Sequence, residues 1–182
     1  MVKTKNVANN IKLRDNPNDV VYTPFRVIRL HLEYIKNDID ENSIIYEPFS
    51  GDGRYVRKIN KHFPNSTIYE TEIQKGSDFF EFNKEIDCII TNPPYSILNK
   101  VFDKIIQLKP SYVSLLIGSL NLTNNRIKLM NDNGYYLKSL YQLKIQNWFG
   151  NALIVNFSNK IDKNVIDYHH KYFKFKDDDS DE

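Results

Sequence analysis

The chain has 182 residues, the size of one domain. Apolar residues make up 41% and aromatics 13%, which is enough to bury a core and excludes wholesale disorder. The formal net charge is only +2, so no strongly basic coat points to a polyanionic partner. The longest apolar runs, such as Leu115-Leu116-Ile117, are too short to span a bilayer, and no apolar stretch follows the N-terminal lysines as a secretory signal requires. A single cysteine, Cys88, excludes both a disulfide framework and a cysteine-based zinc site. The expectation is a soluble intracellular domain without metal or membrane attachment.

Residues 1–20 read as an irregular basic arm, with Lys3, Lys5, Lys12 and Arg14 and a turn-prone close at Asp15-Asn16-Pro17-Asn18-Asp19. A helix follows, with Thr23 as a good N-cap, Pro24 at its first position and Phe25, Ile28, Leu32 and Ile35 at helical spacing. Residues 43–46 form a short apolar strand that runs into Glu47-Pro48-Phe49-Ser50-Gly51-Asp52-Gly53. The next helix carries Val56, Ile59 and Phe63 on one face, and residues 67–72 alternate as a strand does. A further strand over 86–91 stops abruptly at Asn92-Pro93-Pro94, and residues 97–108 are helical, with Leu98, Val101, Phe102, Ile105 and Ile106 inward. Then come a buried strand over 112–117, a short helix around Arg126 to Met130, and two strands over 136–146 and 152–157 around the turn Phe149-Gly150-Asn151.

Alternating strands and helices predict an α/β fold with an open, mostly parallel sheet and a C-terminal antiparallel hairpin. Ligands of such sheets bind at the carboxyl ends of the strands, and the unusual motifs of this chain all fall there. The domain is expected over 21–160, between the arm and an extension over 161–182. Asparagine is abundant in general, 22 residues against 2 alanines, so it carries weight only in a specific context.

Asn92-Pro93-Pro94-Tyr95 supplies such a context. Consecutive prolines fix φ and cannot donate, so they end the strand and leave its last carbonyls free. The Asn92 side-chain oxygen and the Pro93 carbonyl then make a rigid pair of acceptors, with the Tyr95 ring beside them. That array suits an exocyclic amino group on a flat heteroaromatic ring. The segment resembles the S-adenosylmethionine-dependent amino-methyltransferases, which carry Asn/Asp/Ser-Pro-Pro-Tyr/Phe/Trp after their fourth strand. The resemblance covers roughly residues 21–158 and implies the Rossmann-like class I methyltransferase fold, S-adenosyl-L-methionine as cofactor, and Asn92, Pro93, Pro94 and Tyr95 as the catalytic segment. The tetrapeptide occurs in DNA, RNA and protein-glutamine methylating branches alike.

Other residues extend the likeness. Glu47, Pro48, Phe49, Ser50, Gly51 and Gly53 look like the cofactor loop after the first strand, where the glycines permit close backbone approach and a helix N-terminus favours a carboxylate. The acidic-Pro-Phe opening is typical of the DNA branch, and it implies that Phe49 packs on the cofactor. Glu72-Ile73 resembles the acidic position that accepts from the ribose hydroxyls, with Glu70 as its rival. Asp78-Phe79 looks like the pair that meets the cofactor's adenine. Only five residues separate Glu72 from Asp78, which leaves no room for the family's usual intervening helix and strand. Tyr22-Thr23-Pro24 resembles the Thr-Pro element that holds the cofactor's methionine end, although a plain helix cap explains Thr-Pro equally well. Trp148 and Phe149 fall where the family often places a ring that stacks on a flipped target base. Cys88 reads as core, and His169-His170 as a surface pair.

The implied activity is methyl transfer to N6 of adenine in DNA. N4 of cytosine, an RNA base, a protein glutamine, or a non-catalytic cofactor- or DNA-binding subunit are the alternatives. Only 25 residues follow Phe157, too few for a target-recognition domain, so specificity is expected from short loops, a homodimer or a separate subunit. The compartment expected is the cytoplasm, or the host cytoplasm or nucleus if the chain is viral. The tail from Asp177 to Glu182 holds five acidic residues and no basic ones. The near-neutral total therefore averages a clearly basic body with a solvated acidic tail, and a basic body suits a phosphate backbone.

Overall fold

A computed structural model of the chain describes residues 22–145, 148 and 150–166. The arm over 1–20, Phe149, the pair His169-His170 and the acidic tail lie outside the described residues. The first helix, α1 (Phe25–Ile35), buries one stripe made of Ile28, His31, Leu32 and Ile35. It does not start as its sequence suggests. Pro24, with φ −59° and ψ 140°, is the cap residue, its carbonyl accepts from the Val27 and Ile28 amides, and no side chain caps the helix. The Thr23 hydroxyl is therefore left for another partner.

Strands β1 (Ile44–Glu47), β2 (Thr67–Glu70), β3 (Cys88–Thr91), β4 (Tyr112–Gly118), β5 (Tyr136–Leu143) and β6 (Ala152–Ser158) form one sheet in the order β2-β1-β3-β4-β6-β5. The first four are parallel, and β6 runs antiparallel between β4 and β5. The expected α/β sheet with a terminal antiparallel pair is what the chain builds. Helix α2 (Arg54–His62) joins α1 on one face, where Ile45, Cys88, Ile90 and Tyr112 meet Ile28, Leu32 and Ile59. On the other face, α3 (Leu98–Leu108) and α4 (Asn124–Asp132) cover Ile89, Val113, Leu115, Val155 and Phe157. Alternate residues of β4 serve the two faces, as a period of two demands.

Several boundaries shift from the sequence expectation, two of them for a visible local reason. The strand expected to reach Glu72 ends at Glu70, because Thr71 turns towards β1: its amide donates to the Glu47 carbonyl and its hydroxyl to the Pro48 carbonyl. Helix α3 begins at Leu98, after a single 3₁₀ turn over Tyr95–Ile97 set up by the two prolines. Strand β5 stops at Leu143. Between β2 and β3 the chain makes only two single-turn helices, Ile73–Lys75 and Phe79–Glu81, as the short spacing requires.

The order β2-β1-β3 means that successive connections leave β1 on opposite sides. The carboxyl ends of β1 and β3 thus flank the switch point, where an open sheet offers a crevice to ligands.

Candidate active site

The two strand ends at the switch point are tied together through Glu47. Its Oε1 accepts from the Thr91 hydroxyl at 2.5 Å and from the Phe49 amide at 2.9 Å, while Oε2 is buried with no partner. Burial pushes the Glu47 carboxyl up to about 8, against the pull of the Thr91 and Phe49 hydrogen bonds. The loop beyond it bends through Gly51 (φ 51°) and Gly53 (φ 82°), left-handed conformations that glycine adopts without steric cost. A Cβ on Gly51 would stand 3.4 Å from the Tyr22 ring, so the residue before Thr23 closes over this loop. The Ser50 hydroxyl is a second buried polar group without a partner here.

From the β2 side, Glu72 reaches the same loop. Its Oε2 accepts from the Gly51 amide at 2.7 Å and its Oε1 from the Gln74 amide at 3.1 Å. Glu70, the rival, is exposed and stands 4.0 Å from Lys75. Asp78 accepts from the Phe80 amide at 2.9 Å as the cap of the next turn. Phe79 is only 2% exposed and meets Phe49 edge-on at 5.1 Å, so both rings belong to the core, Phe49 from its margin. Phe80 is the exposed ring of the pair, and Ile73 is exposed to 72%.

At the end of β3, Asn92 is held by an element that the sequence left ambiguous. Its Nδ2 donates to the Thr23 hydroxyl at 3.0 Å, and its Oδ1 is buried with no partner among the described residues. Thr23 is thus an anchor for Asn92 and not a helix cap. The Tyr95 ring lies against Gly118 at the end of β4, 3.6 Å from where a Cβ would stand. Trp148 does not join it. Trp148 packs with Leu116, Ile145, Ala152 and Ile154 on the α1 face of the sheet, whereas Tyr95 packs on the opposite face. Cys88 is buried in β3, and burial pushes its thiol up to about 12, so it is core as expected.

Residues that the sequence did not single out lie beneath Asn92 and Thr23: His31, Tyr55, Ser114, Ser139 and Asn156. A signal was present in the strands themselves, since Ser114 and Asn156 are polar residues in the middle of apolar runs. In α1, His31 occupies the apolar stripe. Among the described residues no group of three or more His, Cys, Asp or Glu stands close enough to hold a metal ion, and no helix is long and apolar enough to cross a membrane.

No family model matches the chain, and no curated protein matches its sequence. Solved structures do match. TrmN from Thermus thermophilus aligns with a TM-score of 0.54 and 16% identity over 78% of this chain, which spans only half of TrmN's length. TrmK of M. capricolum, in complex with S-adenosylhomocysteine, aligns with a TM-score of 0.59 and 13% identity, covering 80% of this chain and 72% of that one. Magnesium protoporphyrin IX methyltransferase from Synechocystis PCC 6803, with bound S-adenosylhomocysteine, gives 0.58 and 11% over 74% of this chain and 82% of its own. The fold is that of the class I methyltransferases. Within it, the crevice at the β1/β3 switch point collects the glycine loop, Glu72, Thr23 and Asn92, and three buried polar atoms there, Glu47 Oε2, Ser50 Oγ and Asn92 Oδ1, lack partners among the described residues.

Proposed function

We propose that the chain is an S-adenosylmethionine-dependent methyltransferase acting on an exocyclic amino group, with N6 of adenine in DNA as its target. The observation that carries the reading is Asn92 Oδ1, a buried acceptor with no donor among the described residues, on a carboxamide whose other end is fixed by Thr23. Leaving such an atom unpaired costs about 1–3 kcal/mol, so the site is built for an N–H that arrives from outside.

The residues present fit the cofactor. Gly51 and Gly53 present bare backbone at two points of the loop, Glu72 brings a carboxylate to it, and Ser50 offers a hydroxyl with no partner among the described residues. Tyr22, Thr23, Pro24, Glu47, Pro48, Phe49, Ile73, Asp78 and Asn92 complete the set assigned to holding it, and the buried Phe79 packs against Phe49. When bound, S-adenosylmethionine supplies an electrophilic methyl group. The protein's part is positioning: Asn92 Oδ1 and the Pro93 carbonyl accept from the amino group and turn its lone pair away from the ring. Pro94 keeps the backbone rigid, and Tyr95 lies beside the base. No residue forms a covalent bond to the substrate.

The acidic-Pro-Phe loop and the Thr-Pro element support DNA over RNA or protein glutamine, and adenine over cytosine is the finer part of the proposal. A homodimer or a separate specificity subunit would supply sequence recognition. The test is incubation of the full chain with methyl-labelled S-adenosylmethionine and, in parallel, DNA, RNA and glutamine-containing protein, followed by digestion and identification of the labelled product. N6-methyladenine in DNA is the expected result. Label confined to RNA or protein would overturn the substrate assignment, and no label in any arm would overturn the activity.

A further inference from the structure

A single line of side-chain hydrogen bonds runs from the far side of the sheet to Asn92. Ser139 on β5, Asn156 on β6 and Ser114 on β4 are cross-strand partners in register. Asn156 Nδ2 stands 2.8 Å from the Ser139 hydroxyl, and Asn156 Oδ1 is 2.5 Å from the Ser114 hydroxyl. Ser114 meets His31 Nε2 at 2.6 Å, and His31 Nδ1 meets the Tyr55 hydroxyl at 3.0 Å. The Tyr55 hydroxyl also hydrogen-bonds the Thr23 hydroxyl, which accepts from Asn92 Nδ2. His31, Ser114 and Asn156 are wholly buried, and Thr23 is nearly so.

Each link in this line constrains the next. A carboxamide nitrogen only donates and its oxygen only accepts, while a hydroxyl has one proton. With Asn156 Oδ1 facing Ser114, the Ser114 hydroxyl donates there and can only accept from His31. Nε2 therefore carries the imidazole proton, and bare Nδ1 accepts from Tyr55. The Tyr55 oxygen then accepts from Thr23, and Thr23, its proton engaged, can only accept from Asn92. Nδ2 of Asn92 is locked inward and Oδ1 outward. A hydroxyl can accept twice, but with the protons of Ser114, Tyr55 and Thr23 all kept within the line, reversing it is the only other pairing. It needs the Nδ1–H tautomer of His31 and turns the Asn92 amide over, presenting a donor where a substrate amino group requires an acceptor.

We propose that His31, Tyr55, Ser114 and Asn156 are positioning residues that set the orientation of the Asn92 carboxamide, with the Nε2–H tautomer of His31 fixing its sense. This rests on Asn92 being the acceptor for the substrate amino group. Burial draws His31 down to about 3, so the ring stays neutral at ordinary pH; a charged ring, with two donors, would break the line at Tyr55.

The tautomer is read directly from long-range proton–nitrogen NMR of the ¹⁵N-histidine-labelled chain, with His31 assigned by its absence from a His31→Gln sample. A protonated Nε2 and a bare Nδ1, unchanged from pH 5 to 8, are expected; an Nδ1–H tautomer or an imidazolium overturns the proposal. In the DNA assay, Tyr55→Phe should lower kcat by about fivefold to tenfold, the equivalent of one neutral hydrogen bond, with the KM for DNA and the affinity for S-adenosylhomocysteine unchanged. A carboxylate offers an oxygen whichever way it turns, so in an Asn92→Asp background the added loss from Tyr55→Phe should vanish. A loss that persists there marks a merely structural role and overturns the inference. Full activity of Asn92→Ala would instead overturn the reading on which it rests, so the two failures are distinguishable.

Discussion

Asn92→Ala removes the acceptor at the end of β3, and turnover is expected to fall by about 10²–10³-fold, the usual size of losing one preorganised hydrogen-bonding group in a water-excluded site. Binding of S-adenosylhomocysteine, followed by calorimetry, should be retained, because Gly51, Gly53 and Glu72 are untouched. Among the described residues, the side-chain hydrogen bond that the substitution removes is that to Thr23. Asn92→Asp keeps an acceptor but loses the Nδ2 donor to Thr23, so its activity should lie between the wild type and the alanine variant. An alanine variant that methylates at the wild-type rate would remove Asn92 from the mechanism. Loss of cofactor binding together with turnover would make its role one of assembling the crevice.

The second large effect concerns stability and pH. In the unfolded chain Glu47 and His31 titrate near their ordinary values of 4.5 and 6.5, whereas in the fold burial moves them to about 8 and about 3. Between 6.5 and 8 the folded chain holds a proton on Glu47 that the unfolded chain has released, so stability falls as pH rises through that window. Below 4.5 the unfolded chain holds a proton on His31 that the fold refuses, so stability falls again as pH drops towards 3. Between 4.5 and 6.5 the two effects have opposite sign and offset each other, which leaves a plateau. Urea midpoints measured across pH at fixed ionic strength should show it. Glu47→Gln keeps the acceptor towards Thr91 and Phe49 but cannot ionise, so subtracting its profile from the wild type should isolate the alkaline limb. An identical slope above pH 6.5 in both proteins would remove Glu47 as its cause.

Much of the fold is legible from periodicity alone. The apolar stripe Ile28, Leu32 and Ile35 defines α1, and the run into Asn92-Pro93-Pro94 marks the end of β3 because proline cannot continue a ladder. Of the two carboxylates weighed in the sequence, Glu72 accepts from the Gly51 amide and Glu70 stands near Lys75, a distinction of packing that their positions two apart do not reveal. Other features depend on long-range partners that no local pattern reveals. Thr23 followed by proline carries every local mark of a helix cap, yet its hydroxyl faces a residue 69 positions away. Phe79 and Phe80 are indistinguishable in sequence, and only the packing of Phe79 against Phe49 and Tyr46 makes one of them core. The asparagine-rich composition concealed Asn156, whose context is set by β4 and β5 rather than by its neighbours in the chain.

The short passage from β2 to β3 has a consequence for how the two halves of the crevice respond to a ligand. Among the described residues β2 is hydrogen-bonded along one side only, to β1, and it is four residues long. Glu72 and Asp78 therefore hang from the least secured margin of the sheet, while Asn92 is anchored between strands paired on both sides. Opening at such a margin requires few bonds to break. Amide hydrogens over residues 67–82 are thus expected to exchange with solvent faster than those of β3 and β4, and to slow when S-adenosylhomocysteine is added. One wall of the crevice is then rigid before any ligand arrives, and the other gains its order from what it holds.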